Sequence, residues 1–379
     1  MIFPSRFNCL FMKILIISKA LTAATYHRKL ELIAAEPGIE LVAVVPEMWH
    51  EPGVGAYPLE VRVGNGYRIV VLPLRHNGHH HTYTWRGLNQ FIRAERPDVL
   101  HVDEEAFNLA TFQAMRAGKR VGAKMCFYNW ADVSRRYPPP FRQFEVFAFH
   151  HAAHAIAGNH LAAQLIRDHG YDGPLSIIPQ FGVDQELFTP AIQALPARPF
   201  MVGFFGRLMQ AKGVLDLLAA LEQLPADIHC RLIGQGDLTA DVTRRIAKPP
   251  LQGRVILEPL VPSSQMPAAM RSLHAYVLPS RTTPTWKEQF GRVLIEAMAS
   301  AIPVIGSDSG EIPHVIGDAG IVFPEGDVAQ LARAIERLYR DETERRRLAE
   351  AGRARALAHF TQRQIAAQHV AVYRAMRNE

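Results

Sequence analysis

Cysteine, long apolar runs and excess charge of one sign are all scarce in this 379-residue sequence. Its three cysteines, Cys9, Cys126 and Cys230, are odd in number and far apart, which argues against a disulfide-stapled secreted fold. No run reaches the roughly 18 apolar residues that a membrane-spanning helix needs. The net charge is +6, from 42 Lys and Arg against 36 Asp and Glu, without the asymmetry of a nucleic-acid-binding protein. We therefore expect a cytoplasmic protein with reduced thiols and no nucleic-acid partner.

The first eleven residues, MIFPSRFNCLF, are too short and too poorly patterned for a signal peptide. Met12 and Lys13 precede the apolar run ILIIS and resemble a natural start, so we interpret residues 1–11 as an extension without a role.

The composition, with 48% hydrophobic and 21% charged residues, is that of an ordinary globular protein, and the length predicts two domains. From Lys13 onward, short apolar runs alternate with amphipathic stretches of helical length. The predicted strands are Lys13–Ser18, Leu41–Val45, Ile69–Leu72, Val99–Val102, Ala123–Tyr128, Ala155–Ala157 and Ser176–Ile178, then Met201–Phe205, His229–Ile233, Val255–Leu257, Ala275–Leu278, Pro303–Ile305 and Ile321–Phe323.

Strands that alternate with helices indicate βαβ units and parallel sheets. A Pro- and Ala-rich stretch, Phe188–Pro199, interrupts the alternation and is typical of a linker. The fold class is therefore α/β, with two doubly wound domains, a cleft between them, and ligands at the carboxyl ends of the strands. The expected domains are 1–190 and 191–358, followed by a last segment, 359–379, that returns to brace the first domain.

The segment Pro279–Ser300 is the part most typical of a binding site. It follows an apolar strand, passes through a loop, and enters a helix that begins at Gln289-Phe290-Gly291. The free amides and partial positive charge of a helix N-terminus favour an anion, above all a phosphate.

Two acids, Glu288 and Glu296, flank this helix start. Eight positions of helical rise would separate them by about 12 Å. A nucleoside diphosphate sugar has a matching layout, because its hydroxyl-rich ends suit carboxylates while its diphosphate suits the amides. The alternative, that both acids are ordinary surface charges, is equally compatible with their spacing alone.

A second candidate anion site is GRLMQAKG, which runs from Gly206 to Gly213 after the strand MVGFF. It carries Arg207 and Lys212 on a strand-to-helix loop, and either cation suits a phosphate. A solvated basic turn is the alternative. Since both candidate loops follow strands of the same predicted domain, one diphosphate could contact both.

With these motifs, IGQGD (Ile233–Asp237) and PVIGSDSGEIPHVIGDAGIVFPEGD (Pro303–Asp327), the chain resembles the retaining glycosyltransferases of family 4. The resemblance covers nearly the whole chain from Met12. It implies the GT-B fold, in which two Rossmann-like domains face each other across a cleft. The first domain would bind the acceptor and the second the nucleotide-sugar donor, without a metal or other cofactor.

The resemblance also implies roles for individual residues. Arg207 and Lys212 would hold the diphosphate and offset the charge of the leaving nucleotide. Glu296 would bind the ribose, and Glu288 would hold donor-sugar hydroxyls at the reacting face. The implied donor-binding set is Gly206, Arg207, Lys212, Gly234, Gly236, Glu288, Gln289, Phe290, Gly291, Arg292, Val293 and Glu296.

The chain departs from the family pattern at two places. Gln289 stands where the family commonly has glycine after the first acid. In addition, no His follows the predicted strand Ala123–Tyr128, where many relatives have one. Asn129 and Asp132 are the candidates for its place beside Glu288, Arg207 and Lys212 in the catalytic set.

Acceptor-side residues are expected after the predicted strand Val99–Val102. Glu104 and Glu105 follow it and could orient acceptor hydroxyls, although a charge cluster at a helix N-terminus is an equally good interpretation. The nearby histidines of the loop 76–81 fit a polar surface loop better than a metal site.

The run from Arg135 to Phe149 combines three arginines, three prolines and four phenylalanines. Peripheral contact with the inner face of a membrane is one interpretation of it. We favour the other, in which the phenylalanines belong to the core.

The function that these residues favour is transfer of a hexosyl unit from a nucleotide-diphosphate sugar to a sugar, lipid-linked or small hydroxyl acceptor. Synthesis of a cell-surface polysaccharide or glycolipid is the expected setting. The alternatives are a sugar-nucleotide epimerase, which needs acid/base residues around the sugar, and a non-catalytic subunit that binds the nucleotide sugar.

Overall fold

The computed structural model of the protein describes residues 11–52, 55–131, 137–193 and 195–378, with the side chain of residue 263 excepted. The chain divides into two compact units. The first comprises Met1–Gln180 together with Gln362–Glu379, and the second comprises Phe181–Thr361.

The first unit is built on a parallel sheet. Numbered in chain order through the whole protein, its strands are β1 (Met12–Ile17), β2 (Ile39–Val45), β3 (Met48–Glu51), β4 (Gly55–Pro58), β5 (Arg68–Val71), β6 (Leu74–Arg75), β7 (Thr84–Trp85), β8 (Val99–Val102), β9 (Lys124–Asn129), β10 (His154–Ala157) and β11 (Leu175–Ile177). Its helices are α1 (His27–Ala34), α2 (Leu88–Glu95), α3 (Leu109–Val121), α4 (Phe141–His151), α5 (His160–Asp168) and α13 (Gln362–Asn378). Two short 3₁₀ turns, Ala20–Thr22 and Ala24–Tyr26, follow β1.

Seven strands form this sheet in the order β11-β10-β9-β8-β1-β2-β5, and every pairing is parallel. The central strands are apolar and buried because helices cover both faces. On one face, α13 packs against α1, and Tyr373 and Ile365 of α13 are fully buried there. The strand order reverses at β1 and β8, so the loops that follow these two strands lie side by side.

The second unit contains a smaller sheet of the same kind. Its strands are β12 (Phe200–Phe205), β13 (Ile228–Ile233), β14 (Val255–Glu258), β15 (Ala275–Leu278), β16 (Val304–Ser307) and β17 (Ile321–Phe323). Its helices are α6 (Val214–Leu221), α7 (Thr239–Ile246), α8 (Met266–Arg271), α9 (Arg292–Ala299), α10 (Ile312–Ile316), α11 (Val328–Arg340) and α12 (Glu342–His359), with 3₁₀ turns at Gln210–Lys212 and Ser263–Gln265.

The order of this sheet, β14-β13-β12-β15-β16-β17, places its reversal between β12 and β15. All five pairings are parallel, so every strand ends at the same edge. At such a reversal the loops diverge to opposite faces and leave a crevice in which ligands bind. The loop after β12 begins at Gly206 and the loop after β15 begins at Pro279, so topology alone brings the two candidate segments together.

The expectation of two Rossmann-like α/β domains is confirmed. The strands predicted from apolar runs lie within one or two residues of those observed, and Val99–Val102, Ala275–Leu278 and Ile321–Phe323 match at both ends. Two antiparallel hairpins, β3–β4 and β6–β7, were not predicted.

Candidate functional site

The loop after β12 lies directly against the start of the loop after β15. Lys212 is on a 3₁₀ turn that ends at Gly213, whose φ is +68°. A Cβ atom at Gly213 would lie 1.8 Å from the carbonyl oxygen of Pro279. Only glycine tolerates both this contact and this backbone conformation, so Gly213 allows the two loops to meet.

Lys212 and Glu288 form an ion pair across these loops. The Lys212 Nζ donates to Glu288 Oε2 over 2.6 Å, and the Ser280 hydroxyl donates to the same oxygen over 2.9 Å. Glu288 is only 6% exposed. The Lys212 ammonium also lies 4.9 Å from the ring centroid of Trp286, within cation–π distance. Within the described part of the chain, both side-chain hydrogen bonds to Glu288 are accepted by Oε2, which leaves Oε1 able to accept from a ligand hydroxyl.

The end of β16 and the loop after it contact both the backbone of Glu288 and the backbone of Ser280, whose side chain donates to Glu288. The backbone N–H of Glu311 donates to the Glu288 carbonyl over 2.9 Å, and Gly310 (φ +57°) would bring a Cβ within 2.2 Å of that carbonyl. The Ser307 hydroxyl donates to the Ser280 carbonyl over 2.5 Å, which fixes the residue that holds Oε2. Glu288 is therefore held on both its backbone and its side chain, as a preorganised binding group requires.

A second ion pair joins the loop after β15 to α6, the helix that follows the loop after β12. Arg281 donates through Nε and Nη2 to the two carboxylate oxygens of Asp216 on α6, over 2.6 and 2.5 Å. Its backbone N–H donates to the Ala211 carbonyl over 2.8 Å. This bidentate pair fixes the position of the turn that carries Lys212.

Helix α9 begins at the crevice with its first amides uncapped. Gly291, at φ +77°, precedes the helix, and no side chain caps its first turn. Phe290 is 3% exposed and packs edge-on against Phe360, so it anchors the turn. The amides of Arg292 and Val293 are the free donors at this helix start, the arrangement that binds phosphate in other folds.

Glu296 lies one turn further along α9 and is almost completely buried. Its Oε1 forms an ion pair with Arg292, 3.1 Å from Nε, whereas its Oε2 is buried and has no partner among the residues that the structure describes. Burial raises the pKa of Glu296 to about 7, although the Arg292 guanidinium opposes the shift. A buried acceptor without a donor is costly, so this oxygen is suited to a ligand hydroxyl.

Gly234 and Gly236, in the loop after β13, let the backbone approach the loop after β12. Cβ atoms at these positions would lie 1.9 Å from the Gly206 carbonyl oxygen and 2.5 Å from the Leu208 carbonyl oxygen, respectively. The two loops are also joined by a hydrogen bond from the Leu208 N–H to the Gln235 carbonyl, over 3.0 Å. These glycines thus have a packing role that their sequence pattern did not reveal.

Arg207 differs from Lys212. Its side chain is exposed and forms no ion pair with any of the described residues. Gln289 is half-buried between Glu288 and Phe290.

Of the predicted donor-binding residues, the structure brings Lys212 and Glu288 into contact at the start of α9, the helix that carries Glu296. Ser280, Trp286, Ser307 and Gly310 were missed, and only the adjacency of the loops after β12, β15 and β16 could have pointed to them.

In the first unit, Glu104 is fully engaged by its neighbours. Lys19, from the loop after β1, donates to Oε1 over 2.6 Å, and the Tyr83 hydroxyl donates to the same oxygen over 2.6 Å. Asn108 donates to Oε2 over 3.3 Å. The Lys19 ammonium lies 5.3 Å from the Trp49 ring centroid. Glu104 thus acts within a buried network that joins the loops after β1 and β8.

Glu105 holds the turn that follows β9. Its Oε1 accepts from the backbone N–H groups of Trp130 and Ala131 over 2.9 and 3.0 Å, while Oε2 is buried without a partner in the described part of the chain. Burial raises the pKa of Glu105 to about 8. Asn129 is 5% exposed, and its side chain donates to the Ala131 carbonyl over 3.1 Å. Asp132, the other candidate at this place, lies outside the described residues.

Two other segments that the sequence singled out, the histidine-containing loop and the aromatic run, contact neighbouring residues in the structure. In the histidine-containing loop, His80 lies 3.2 Å from Glu51 Oε1, and His81 Nδ1 lies 3.0 Å from Asn108 Oδ1. Of the aromatic run, Phe147 and Phe149 are half-buried against the core, while Arg135 and Arg136 lie outside the described residues. In the described part of the chain, no helix is both long and apolar enough to cross a membrane.

Two family models match the chain in succession. Residues 34–186 match the model of Glycosyltransferase Family 4, and residues 186–355 match that of Glycosyl transferases group 1. A curated relative, the MMP alpha-(1->4)-mannosyltransferase of Mycolicibacterium hassiacum, is 30% identical over 52% of this chain and 48% of its own length. The amylovoran biosynthesis glycosyltransferase AmsK of Erwinia amylovora is 26% identical over 64% and 61%. The matched stretch thus spans about half the length of such relatives.

Solved structures resemble the chain over nearly its full length. A glycosyltransferase from Rickettsia africae has a TM-score of 0.76 at 17% identity, covering 97% of this chain and 98% of its own. A sucrose-phosphate synthase from Thermosynechococcus elongatus has a TM-score of 0.69 at 22% identity, covering 96% and 99%. The Anabaena protein HepE, in complex with UDP, has a TM-score of 0.71 at 16% identity, covering 96% and 100%. At these identities the likeness shows the shared fold.

Proposed function

Because the chain belongs to the group 1, family 4 glycosyltransferases of the GT-B fold, we propose that it transfers a hexosyl unit from a nucleotide-diphosphate sugar to a hydroxyl acceptor. We further propose that the anomeric configuration is retained. The observation that carries the proposal is the Lys212–Glu288 pair, which lies at the reversal of the second sheet beside the uncapped start of α9.

The donor would extend along the loops of the second unit. Its diphosphate would lie on the amides of Arg292 and Val293, with Lys212 and the exposed Arg207 supplying positive charge. The ribose hydroxyls would donate to the buried Oε2 of Glu296. The free Oε1 of Glu288 would accept from hydroxyls of the donor sugar.

Transfer would break the bond between the anomeric carbon and the diphosphate oxygen. The acceptor oxygen would form the new bond on the same face of the sugar, and its proton would pass to the departing phosphate. Lys212, Arg207 and the α9 amides would stabilise the negative charge that develops on that phosphate, and such charge stabilisation is usually the largest contribution to catalysis. This proposal requires no metal, because these groups supply the positive charge.

The acceptor would be recognised by the first unit, beside the loops after β8 and β9. Glu105 and Asn129 would shape that surface through the turn at residues 129–131, with Asp132 as a further candidate. Glu104 would support it indirectly through Lys19 and Tyr83, since its oxygens already have partners. A growing polysaccharide, a lipid-linked sugar or a small hydroxylated molecule would each supply a suitable hydroxyl.

A thermal-shift screen with uridine, guanosine and adenosine diphosphates and their sugars tests donor binding. A ligand at 100 times its dissociation constant should stabilise the protein by about 2.7 kcal/mol. The selected donor is then incubated with candidate acceptors, and the product linkage is assigned by NMR. Retention of the donor's anomeric configuration supports the proposal, whereas an inverted product or epimerised donor in the absence of acceptor contradicts it.

A further inference from the structure

Helices α3 and α4 of the first unit present a basic surface. Arg116, Lys119 and Arg120 of α3 are exposed, and their spacing of three and four residues places them on one face of the helix. On α4, Arg142 and His150 are exposed. The positive charge of the two helices is therefore concentrated on the outside of the sheet.

Acidic groups do not balance this charge within the two helices. Helix α3 contains no Asp or Glu, and α4 contains only Glu145. Glu145 is 3% exposed and pairs with Arg142 and with His169 Nδ1, the latter at 2.7 Å. The exposed charge that α3 and α4 contribute is thus of one sign.

Aromatic side chains lie directly beside these cations. Phe112 of α3 stacks on Phe144 of α4 with ring centroids 4.7 Å apart, and its ring meets that of Phe147 at 5.0 Å. All three are half-buried. The Lys119 Nζ is 5.9 Å from the Phe147 ring centroid and 3.1 Å from His151 Nε2. Burial and the neighbouring Lys119 and His150 lower the pKa of His151.

An open depression of about 500 Å³ lies on the same side of α4. Tyr137, Pro139, Val146 and Phe147 supply most of its apolar lining. Val146, one of these lining residues, is 49% exposed and presents an apolar side chain to solvent.

We propose that this surface, the α3–α4 face (Arg116, Lys119, Arg120, Val146 and Phe147), docks on a bilayer that contains anionic lipid. Cations beside half-buried aromatic and branched apolar side chains are typical of interfacial membrane contact, where the charges meet headgroups and the apolar groups enter the acyl boundary. The inference goes beyond the proposed transfer reaction, because every residue of the face belongs to the first unit, whereas the donor-binding loops belong to the second.

Charge also argues against a second copy of the chain as the occupant. A two-fold symmetric contact through the α3–α4 face would bring its arginines and lysine close to their own counterparts, and like charges across an interface repel. A lipid surface supplies negative charge, which suits the cations of the face, together with an apolar layer, which suits Val146 and Phe147.

Cosedimentation with phosphatidylcholine vesicles, with and without phosphatidylglycerol, tests the proposal. We expect binding only to the anionic vesicles, weakening as salt rises. Each basic residue at such a surface contributes about fivefold, so the triple variant R116Q/K119Q/R120Q should lower the partition coefficient by about 100-fold. The matched control K248Q/R333Q/R346Q removes three exposed cations from the second unit and should bind as the wild type does.

The apolar half of the face is tested separately. Val146→Glu should weaken vesicle binding and Val146→Trp should strengthen it. Equal binding to neutral vesicles, wild-type binding by the triple variant, or no vesicle binding would each overturn the proposal. So would dimerisation without lipid that Val146→Glu abolishes, or salt-sensitive binding to single-stranded RNA alone. Nucleotide affinity measured by calorimetry should stay unchanged in every variant, so failure of membrane docking is distinguishable from failure of the proposed transfer.

Discussion

Lys212 has two possible roles, as the counterion of Glu288 and as a ligand of the donor diphosphate, and a double-mutant cycle separates them. Lys212 and Glu288 are 18% and 8% exposed at their side chains, and their charged atoms are 2.6 Å apart. Lys212→Met removes the charge and keeps most of the volume, while Glu288→Gln keeps the shape and removes the opposite charge. Lys248→Met, at an exposed position of the same unit, is the matched control.

The pair itself should be visible in stability. Removing one partner leaves the other poorly solvated and unpaired, which costs about 3–5 kcal/mol for a fully buried pair. Since both side chains retain some exposure, we expect each single variant to lose about 2 kcal/mol of unfolding free energy. The double variant should lose less than the sum of the two, because neither charge is then left alone. Urea denaturation monitored by circular dichroism measures all three.

Donor binding should behave differently. A charge-assisted hydrogen bond to phosphate is worth about 1.5–3 kcal/mol, so Lys212→Met should weaken nucleoside diphosphate binding by roughly 10- to 150-fold in calorimetry. The same loss should persist in the double variant, whereas Glu288→Gln alone should leave nucleoside diphosphate affinity nearly unchanged. Turnover of Lys212→Met should fall on the order of 10²–10³. Recovery of nucleotide affinity and turnover in the double variant to the level of Glu288→Gln would refute the diphosphate role, because Lys212 would then serve only as a counterion.

Three further perturbations have defined outcomes. Glu296 has a folded-state pKa raised to about 7 from 4.5, so the folded state keeps a proton that the unfolded state releases. Its contribution to the unfolding free energy should fall by up to about 3 kcal/mol as pH rises from about 4.5 to 7, and Glu296→Gln should reduce the pH dependence measured in urea titrations by that amount, leaving the contribution of Glu105. Glu105, with its pKa raised to about 8, is mostly protonated at pH 7, so Glu105→Gln should retain most activity at that pH. Glu105→Ala leaves two backbone amides unpaired and should cost about 2 kcal/mol of stability as well as activity. Equal effects of the two substitutions would contradict this. Gly213→Ala places a Cβ 1.8 Å from a carbonyl oxygen and should abolish donor binding. The control Gly253→Ala has a similar φ of +76° and no atom within 4 Å of the new Cβ. It should cost only the backbone strain of about 1 kcal/mol and leave the donor affinity measured by calorimetry unchanged.

The local sequence pattern was sufficient to predict most of the fold. Buried parallel strands are short apolar runs, so Ala275–Leu278 could be recognised without knowing its neighbours. The start of α9 was also predictable, since Gly291 and the amphipathic stretch after it are local signals. The hairpins β3–β4 and β6–β7 were not, because strands of two to four residues carry too little periodicity to distinguish them from loops.

The partners within the site depend on long-range topology. Lys212 and Glu288 are 76 positions apart, and only the strand order explains why they meet. The same holds for Lys19 and Glu104, which lie in the loops at the reversal of the first sheet. From the sequence, an acceptor-side residue and a charge at a helix N-terminus were equally good interpretations of Glu104, whereas in the structure its oxygens accept from Lys19, Tyr83 and Asn108. Composition and spacing do not reveal such pairings, because each partner alone has the pattern of an ordinary loop charge.

The central claim is that a donor's diphosphate lies between Lys212 and the start of α9, with its two hydroxyl-rich ends on Glu288 and Glu296. A crystal structure of the protein with the nucleoside diphosphate selected by thermal shift tests this most directly. The account predicts phosphate oxygens within hydrogen-bond distance of Lys212 Nζ and of the Arg292 and Val293 amides, with the ribose on Glu296. A nucleotide bound away from α9, with the Lys212–Glu288 pair unchanged and Glu296 Oε2 still without a donor, would contradict it.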